Sequence, residues 1–364
     1  MFARNAMLRM LALPLLAAPL FALAGDIQYT PIFLPKDFGA HYLGSNGQVV
    51  GAVEAPHSPG DLQAAIWSNS QLTLYSTPNT MFNVISPDGR YILGTRDDYI
   101  EPNVFFYDNG TETTIPMVPH VWAEANAVNN SGQVAGTLVV NGPQGQNEVG
   151  FVYANGQIEY LGLNSGADWR VYDMNAAGVV VGNFSANNMS HAFMYSNGVT
   201  TDLGSLYCGD YSFAYGINDA GDIVGMFGTA RDEHPFLYSA GTILDLGTLG
   251  GTISRANAIN NHGQIVGASN TANGDLHAFL YSNGQMLDLS DMVQGLNDWT
   301  LMYAYGINDA GQILVSGCPT GGGGCSMLLL EPLTAVPEPS TWALLLAGLG
   351  GLAYRFKRRR TASA

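Results

Sequence analysis

The chain is short of charge. Only 12% of its 364 residues are Asp, Glu, Lys or Arg, and bases are the scarcer kind, 13 Lys plus Arg against 29 Asp plus Glu. The shortage is sharper in the middle. Residues 1–24 hold Arg4 and Arg9, residues 341–364 hold Arg355, Lys357, Arg358, Arg359 and Arg360, and neither end holds an acid. The residues between keep six bases beside all 29 acids. Such a surface repels phosphate, which removes the electrostatic attraction on which nucleic-acid binding rests. Three cysteines are too few for a disulfide scaffold. The middle also lacks the 3.6-residue apolar period of helices. It has no Gly-x-Ser-x-Gly elbow, no Gly-Lys phosphate loop and no His-Glu-x-x-His. What is abundant is glycine, 45 residues, within a 47% hydrophobic composition that can bury a core. That is the profile of a turn-rich β protein.

The two ends read as addresses. Arg4 and Arg9 precede an apolar run that closes in Ala22-Leu23-Ala24, followed by Gly25. A basic flank, a short apolar stretch and small-x-small is the pattern of a secretory signal peptide, cut between Ala24 and Gly25 after the Sec export machinery. At the other end, Thr341–Phe356 is apolar, has an aromatic near each end and leads into Arg355, Lys357, Arg358, Arg359 and Arg360. This is a membrane helix with its basic tail held in the cytoplasm. At 1.5 Å per residue it reaches only about 24 Å of a roughly 30 Å hydrocarbon core, which suits a transient stay in the inner membrane.

Pro337-Glu338-Pro339, the apolar helix and the terminal basic cluster together resemble the PEP-CTERM sorting signal of Gram-negative bacteria. The resemblance implies recognition and processing by an exosortase near Pro337–Pro339, release to the cell surface or medium, and a link to exopolysaccharide and biofilm. The expected domains are a signal peptide at 1–24, a repeat domain at 25–334 and a sorting segment at 335–364.

The middle is one unit repeated. The phrase Ile217-Asn-Asp-Ala-Gly-Asp-Ile-Val-Gly225 has seven copies, with turn glycines at 47, 89, 132, 178, 221, 263 and 311. A second phrase follows, as in His277-Ala-Phe-Leu-Tyr-Ser-Asn-Gly284, and a third closes the unit, as in Asp245-Leu-Gly247. Each unit reads as four short antiparallel strands joined by Asn-Gly and Gly turns. Four strands in about 43 residues is a propeller blade. The expected fold is therefore an all-β, seven-bladed propeller of four-stranded blades, with Ile27–Leu34 supplying the last blade's missing strand. An open β-solenoid is the alternative. The phrases also resemble HAF-type repeats of extracellular proteins, which implies export and a repeat fold but no activity.

Candidate chemistry is thin. His191, His234 and His277 share one repeat position, better explained as hydrogen-bonded strand residues than as metal ligands. Asp37, Asp202, Asp245 and Asp288 recur, which speaks for structure. Asn218, Asp219 and Asp222 lack the alternating ladder of a calcium loop. No acid departs from the repeat in a way that marks a site. Cys318 and Cys325 flank a Pro-Thr-Gly-Gly-Gly-Gly hairpin and can pair in an exported protein, leaving Cys208 as a buried thiol. No catalytic residue, metal ligand or cofactor is assigned. The expectation is an exported, exosortase-sorted, non-catalytic binding or structural propeller, with a polysaccharide as its candidate ligand. A secreted propeller glycosidase or lyase is the alternative.

Overall fold

A computed structural model describes residues 27–333, apart from short stretches at 56–60, 97–102, 109, 119–121, 143–144, 164, 187–188, 207–208 and 230. The expected cleavage site at Ala24 and Gly25, Cys208, the Pro337-Glu338-Pro339 motif, the apolar helix and the basic tail lie outside these residues. Among the described residues no helix is long and apolar enough to cross a membrane.

The repeat phrases fold as the alternation and turns dictate. In the unit 250–288, Gly250–Ile259 pairs antiparallel with Ile265–Thr271, which pairs with Leu276–Ser282, which pairs with Gln285–Asp288. Gly263 makes the first turn at φ 74°, and Asn283 and Gly284 make the last at 52° and 79°. Those values are why Asn-Gly recurs there, since both residues tolerate a left-handed backbone. Ile265 to Ser269 are all buried, because the second strand of a unit is covered on both faces.

The second and third strands lock through a Gly–Phe pair. Gly267 lies opposite Phe279, Gly225 opposite Phe236, Gly182 opposite Phe193 and Gly136 opposite Phe151. Each of these phenylalanines is at most 1% exposed. A Cβ on Gly267 would stand 2.9 Å from the Phe279 ring, so the ring fills the space that glycine leaves. Apolar clusters then form between neighbouring units. Val224 of the unit 211–245 and Leu246, just after it, pack with Ala256, Ile265 and Phe279 of the next.

The sheet count corrects the expectation of seven separate four-stranded blades. Five four-stranded blades stand alone: residues 38–78, 80–114, 122–161, 169–202, and 299–332 with Tyr29–Phe33. Residues 211–288 instead form a single eight-stranded sheet. The cause is local. The strand Gly250–Ile259 begins early, on a Gly250-Gly251 pair, and Ile253 meets Glu233 of Asp232–Ser239 in parallel. Seven sequence copies therefore do not give seven independent sheets.

The ring closes with a strand from the start of the chain. Tyr29–Phe33 pairs antiparallel with Ser326–Pro332 as the outer strand of the last blade. Backbone bonds from Leu34 N to Met327 O at 3.0 Å and from Leu333 N to Gln28 O at 2.7 Å secure both ends. Pro31 is tolerated because this strand is an edge.

Candidate functional site: the central cavity

Every first strand carries a β-bulge at the same place. The register skips one residue at His41, Asn83, Asn126, Tyr172, Tyr215, Asn257 and Tyr305. A bulge adds a residue against one partner residue, bends the strand and re-aims a side chain. Six of these residues, all but Asn83, line a cavity of about 760 Å³ on the axis of the ring. The glycine of each Ile-Val-Gly phrase faces the bend. A side chain on Gly225 would overlap the carbonyl oxygen of Phe213, and one on Gly267 that of Arg255. Glycine is required there because the bent first strand presses on the second.

Two girdles of side chains hold one mouth of the cavity. Asn129 Nδ2 donates to the Asn175 carbonyl at 3.3 Å, and Asn175 Nδ2 to the Asn218 carbonyl at 3.1 Å. Asn218 continues to Asn260 at 3.3 Å, Asn260 to Asn308 at 3.0 Å, and Asn308 to Gly44 at 3.1 Å. Their Oδ1 atoms accept from the following turn, as Asn260 does from Gln264 N at 3.0 Å. The Asn of the repeat thus caps its own turn and ties each unit to the next. Gly44 and Ser86 take this place in the first two copies, so the girdle is open there. One residue on, Asp219 accepts from Ala176 N, Asn261 from Asp219 N and Asp309 from Asn261 N, at 2.9, 2.8 and 2.8 Å. This rim is exposed and acidic.

The cavity wall is lopsided. Tyr172, Tyr215, Tyr303 and Tyr305 lie along one arc, while His41 and Asn126 lie on the other. Tyr172 and Tyr215 meet edge to face at 5.1 Å, and Phe213 stacks on Tyr215 at 5.9 Å. Burial raises the hydroxyls of Tyr42, Tyr172 and Tyr215 above the usual phenol range, so they remain donors. Asn257 Nδ2 donates to the Ala304 carbonyl at 2.8 Å. Asn126 Oδ1 is buried with no hydrogen-bond partner among the described residues.

One acid does break the repeat, and the sequence reading missed it. Two residues before the Asn position stand Tyr42, Val84, Ala127, Asp173, Gly216, Ala258 and Gly306, so Asp173 is the lone carboxylate. Alignment of the copies on that Asn exposes it. Asp173 accepts from Met174 N at 2.8 Å and from Ile217 N at 2.9 Å, which bridges its blade to the eight-stranded sheet. It lines the cavity and is half-buried there. Burial pushes its carboxyl up to about 7, Asp219's charge adds to this, and the two N–H bonds oppose it.

The other singled-out residues are placed elsewhere. His191, His234 and His277 bond through Nδ1 to Asp202, Asp245 and Asp288, at 3.0, 2.8 and 2.5 Å, on the outer hairpins. They do not converge. No cluster of three or more metal-ligating side chains occurs among the described residues. Cys318 and Cys325 form a disulfide across the last blade's hairpin.

Residues 335–360 match the PEP-CTERM protein-sorting motif. That motif implies an exported protein, processed by an exosortase at the membrane and then sent to the cell surface. None of the curated protein sequences matches the chain. Among solved structures, the β-propeller domain of the Trilobed protease from Pyrococcus furiosus is similar at 10% identity and a TM-score of 0.56, over 86% of this chain and 100% of that one. The acylaminoacyl peptidase of Pyrococcus horikoshii gives the same identity and score over 86% of this chain and 53% of its own. The protein described as YCF48 bound to D1 peptide gives 11% and 0.53, over 86% and 97%. These likenesses establish an all-β propeller, and the fold alone.

Proposed function

We propose that this exported propeller binds a saccharide in its central cavity without turning it over, and that the saccharide belongs to the exopolysaccharide or biofilm matrix at the cell surface. The carrying observation is the set of in-register bulges, which brings tyrosines and amides from successive units onto one cavity. Tyrosine faces stack on sugar rings, and their hydroxyls and the amides hydrogen-bond to sugar hydroxyls. The cavity volume lies within the range of small-ligand sites. The resemblance of the phrases to HAF-type extracellular repeats agrees with this place of work.

The test is calorimetric titration with oligosaccharides cut from the host's own exopolysaccharide. Tyr215→Ala is expected to weaken binding by about tenfold, while Tyr215→Phe stays closer to wild type. New reducing ends during incubation would overturn the non-catalytic reading in favour of a glycosidase or lyase. A folded protein that binds none of these oligosaccharides would overturn the ligand class.

A further inference from the structure

We infer that the ligand of the central cavity carries an anionic group and that Arg255 reads it, an inference that rests on the saccharide reading above.

The molecule contains its own comparison. Five residues before the Asn position, the first strands carry Gly39, Met81, Glu124, Arg170, Phe213, Arg255 and Tyr303. Two arginines therefore share this tier. Arg170 is neutralised by a two-point ion pair with Glu148, and its charge is further favoured by that pairing. Arg90 and Arg96 likewise pair with Asp108 at 3.0 Å and Glu112 at 2.6 Å. Arg255 makes no ion pair among the described residues, although acids far outnumber bases in this chain. It is half-buried at the cavity wall, with its guanidinium 5.8 Å from the centre of the Tyr303 ring.

A half-buried cation loses hydration, and a ring face repays only part of it. A carboxylate or a sulfate ester on a sugar would repay the rest. The guanidinium fork donates to two oxygens of such a group at once. The charge layout sets the direction of the ligand. Asp88, Asp219 and Asp309 lie at the Asn-girdle mouth, while Arg255 lies five residues up its strand, about 15 Å away at the usual rise. An acidic sugar would thus lie with its anion toward Arg255 and its neutral hydroxyls toward the rim. The net charge repels polyanions at long range, but salt at cellular strength screens that field beyond about 8 Å. The contact at Arg255 survives.

The experiment titrates the folded protein with three oligosaccharides of equal length: a polyuronate, a sulfated galactan and a neutral glucan. The expected result is at least about tenfold tighter binding of an acidic oligosaccharide than of the neutral one, narrowing as salt rises toward 0.5 M. Whichever of the polyuronate and the galactan binds tighter identifies the anion. Arg255→Gln should bring the acidic-to-neutral ratio to about one, and Arg255→Lys should leave it between the two, because charge stays while the fork is lost. Equal binding of acidic and neutral sugars, or an unchanged ratio in a folded Arg255→Gln protein, overturns the inference and leaves the saccharide reading standing. No binding of any of the three by folded wild-type protein overturns both.

Discussion

At the scale of single residues, a repeat separates structure from function by its exceptions. The Asn position is filled in five copies because one side chain performs two tasks there, capping its own turn and donating to the next unit. Asp173 is an exception with a measurable consequence. Its folded carboxyl titrates near 7, against about 3.9 in an unfolded chain. The folded state therefore holds this proton more tightly. Stability from that preference is full below about pH 4 and is lost as pH rises through about 7. Asp219 is the charged group that sharpens the effect, while Tyr42 stays neutral over this range. Thermal melts at about pH 5 and pH 8 should show a larger fall in midpoint for wild type than for Asp173→Asn, whose carbonyl keeps one of the two N–H bonds. Parallel curves for the two proteins would show that Asp173 does not titrate in this range.

At the scale of elements, the unit is built around a bent first strand. The bulge aims one side chain into the cavity, and the bend requires glycine on the second strand. The third strand's phenylalanine then covers that glycine. This chain of dependence ties the Ile-Val-Gly phrase to the His-Ala-Phe phrase, though neither touches the cavity itself. Gly267→Ala places a methyl group against the Arg255 carbonyl and the Phe279 ring. It should cost at least the 1–3 kcal/mol typical of overpacking, read by urea denaturation. It should also weaken ligand binding, since Arg255 and Asn257 ride on the displaced strand. Gly284→Ala is the comparison, because nothing lies within 4 Å of its added carbon. Its cost comes from the left-handed backbone alone and should spare the ligand.

At the scale of the whole molecule, closure depends on residues from both ends of the described chain. Tyr29 is 0% exposed and packs in the last blade's core with Leu301, Leu328 and Leu330. Removing residues 27–34 would leave Ser326–Pro332 as an open edge with Leu328, Leu329 and Leu330 uncovered. Open apolar edges pair with other chains. Such a truncation should elute as aggregate in gel filtration and lose the single cooperative melt. A monomer with an unchanged melt would show that the closing strand is dispensable.

The sorting motif, the turns and the strand order were legible in the sequence, because each rests on residues close together in the chain. The Asn283-Gly284 turn and the Gly263 turn follow from local backbone preference, and the sorting motif is a contiguous string. The closing strand was legible too, because an incomplete last copy leaves one strand unaccounted for. The sheet count was not. It turned on a parallel contact between Glu233 and Ile253, which depends on how far one strand extends past a Gly pair. The cavity was not legible either, since bulged residues look like any other strand residue until their register is known. Repeat pattern and local propensity settled an all-β propeller of similar units. Tertiary packing alone decided which units fuse, which side chains meet on the axis, and which charge there stands without a partner, because these depend on contacts between residues about 20 or more positions apart.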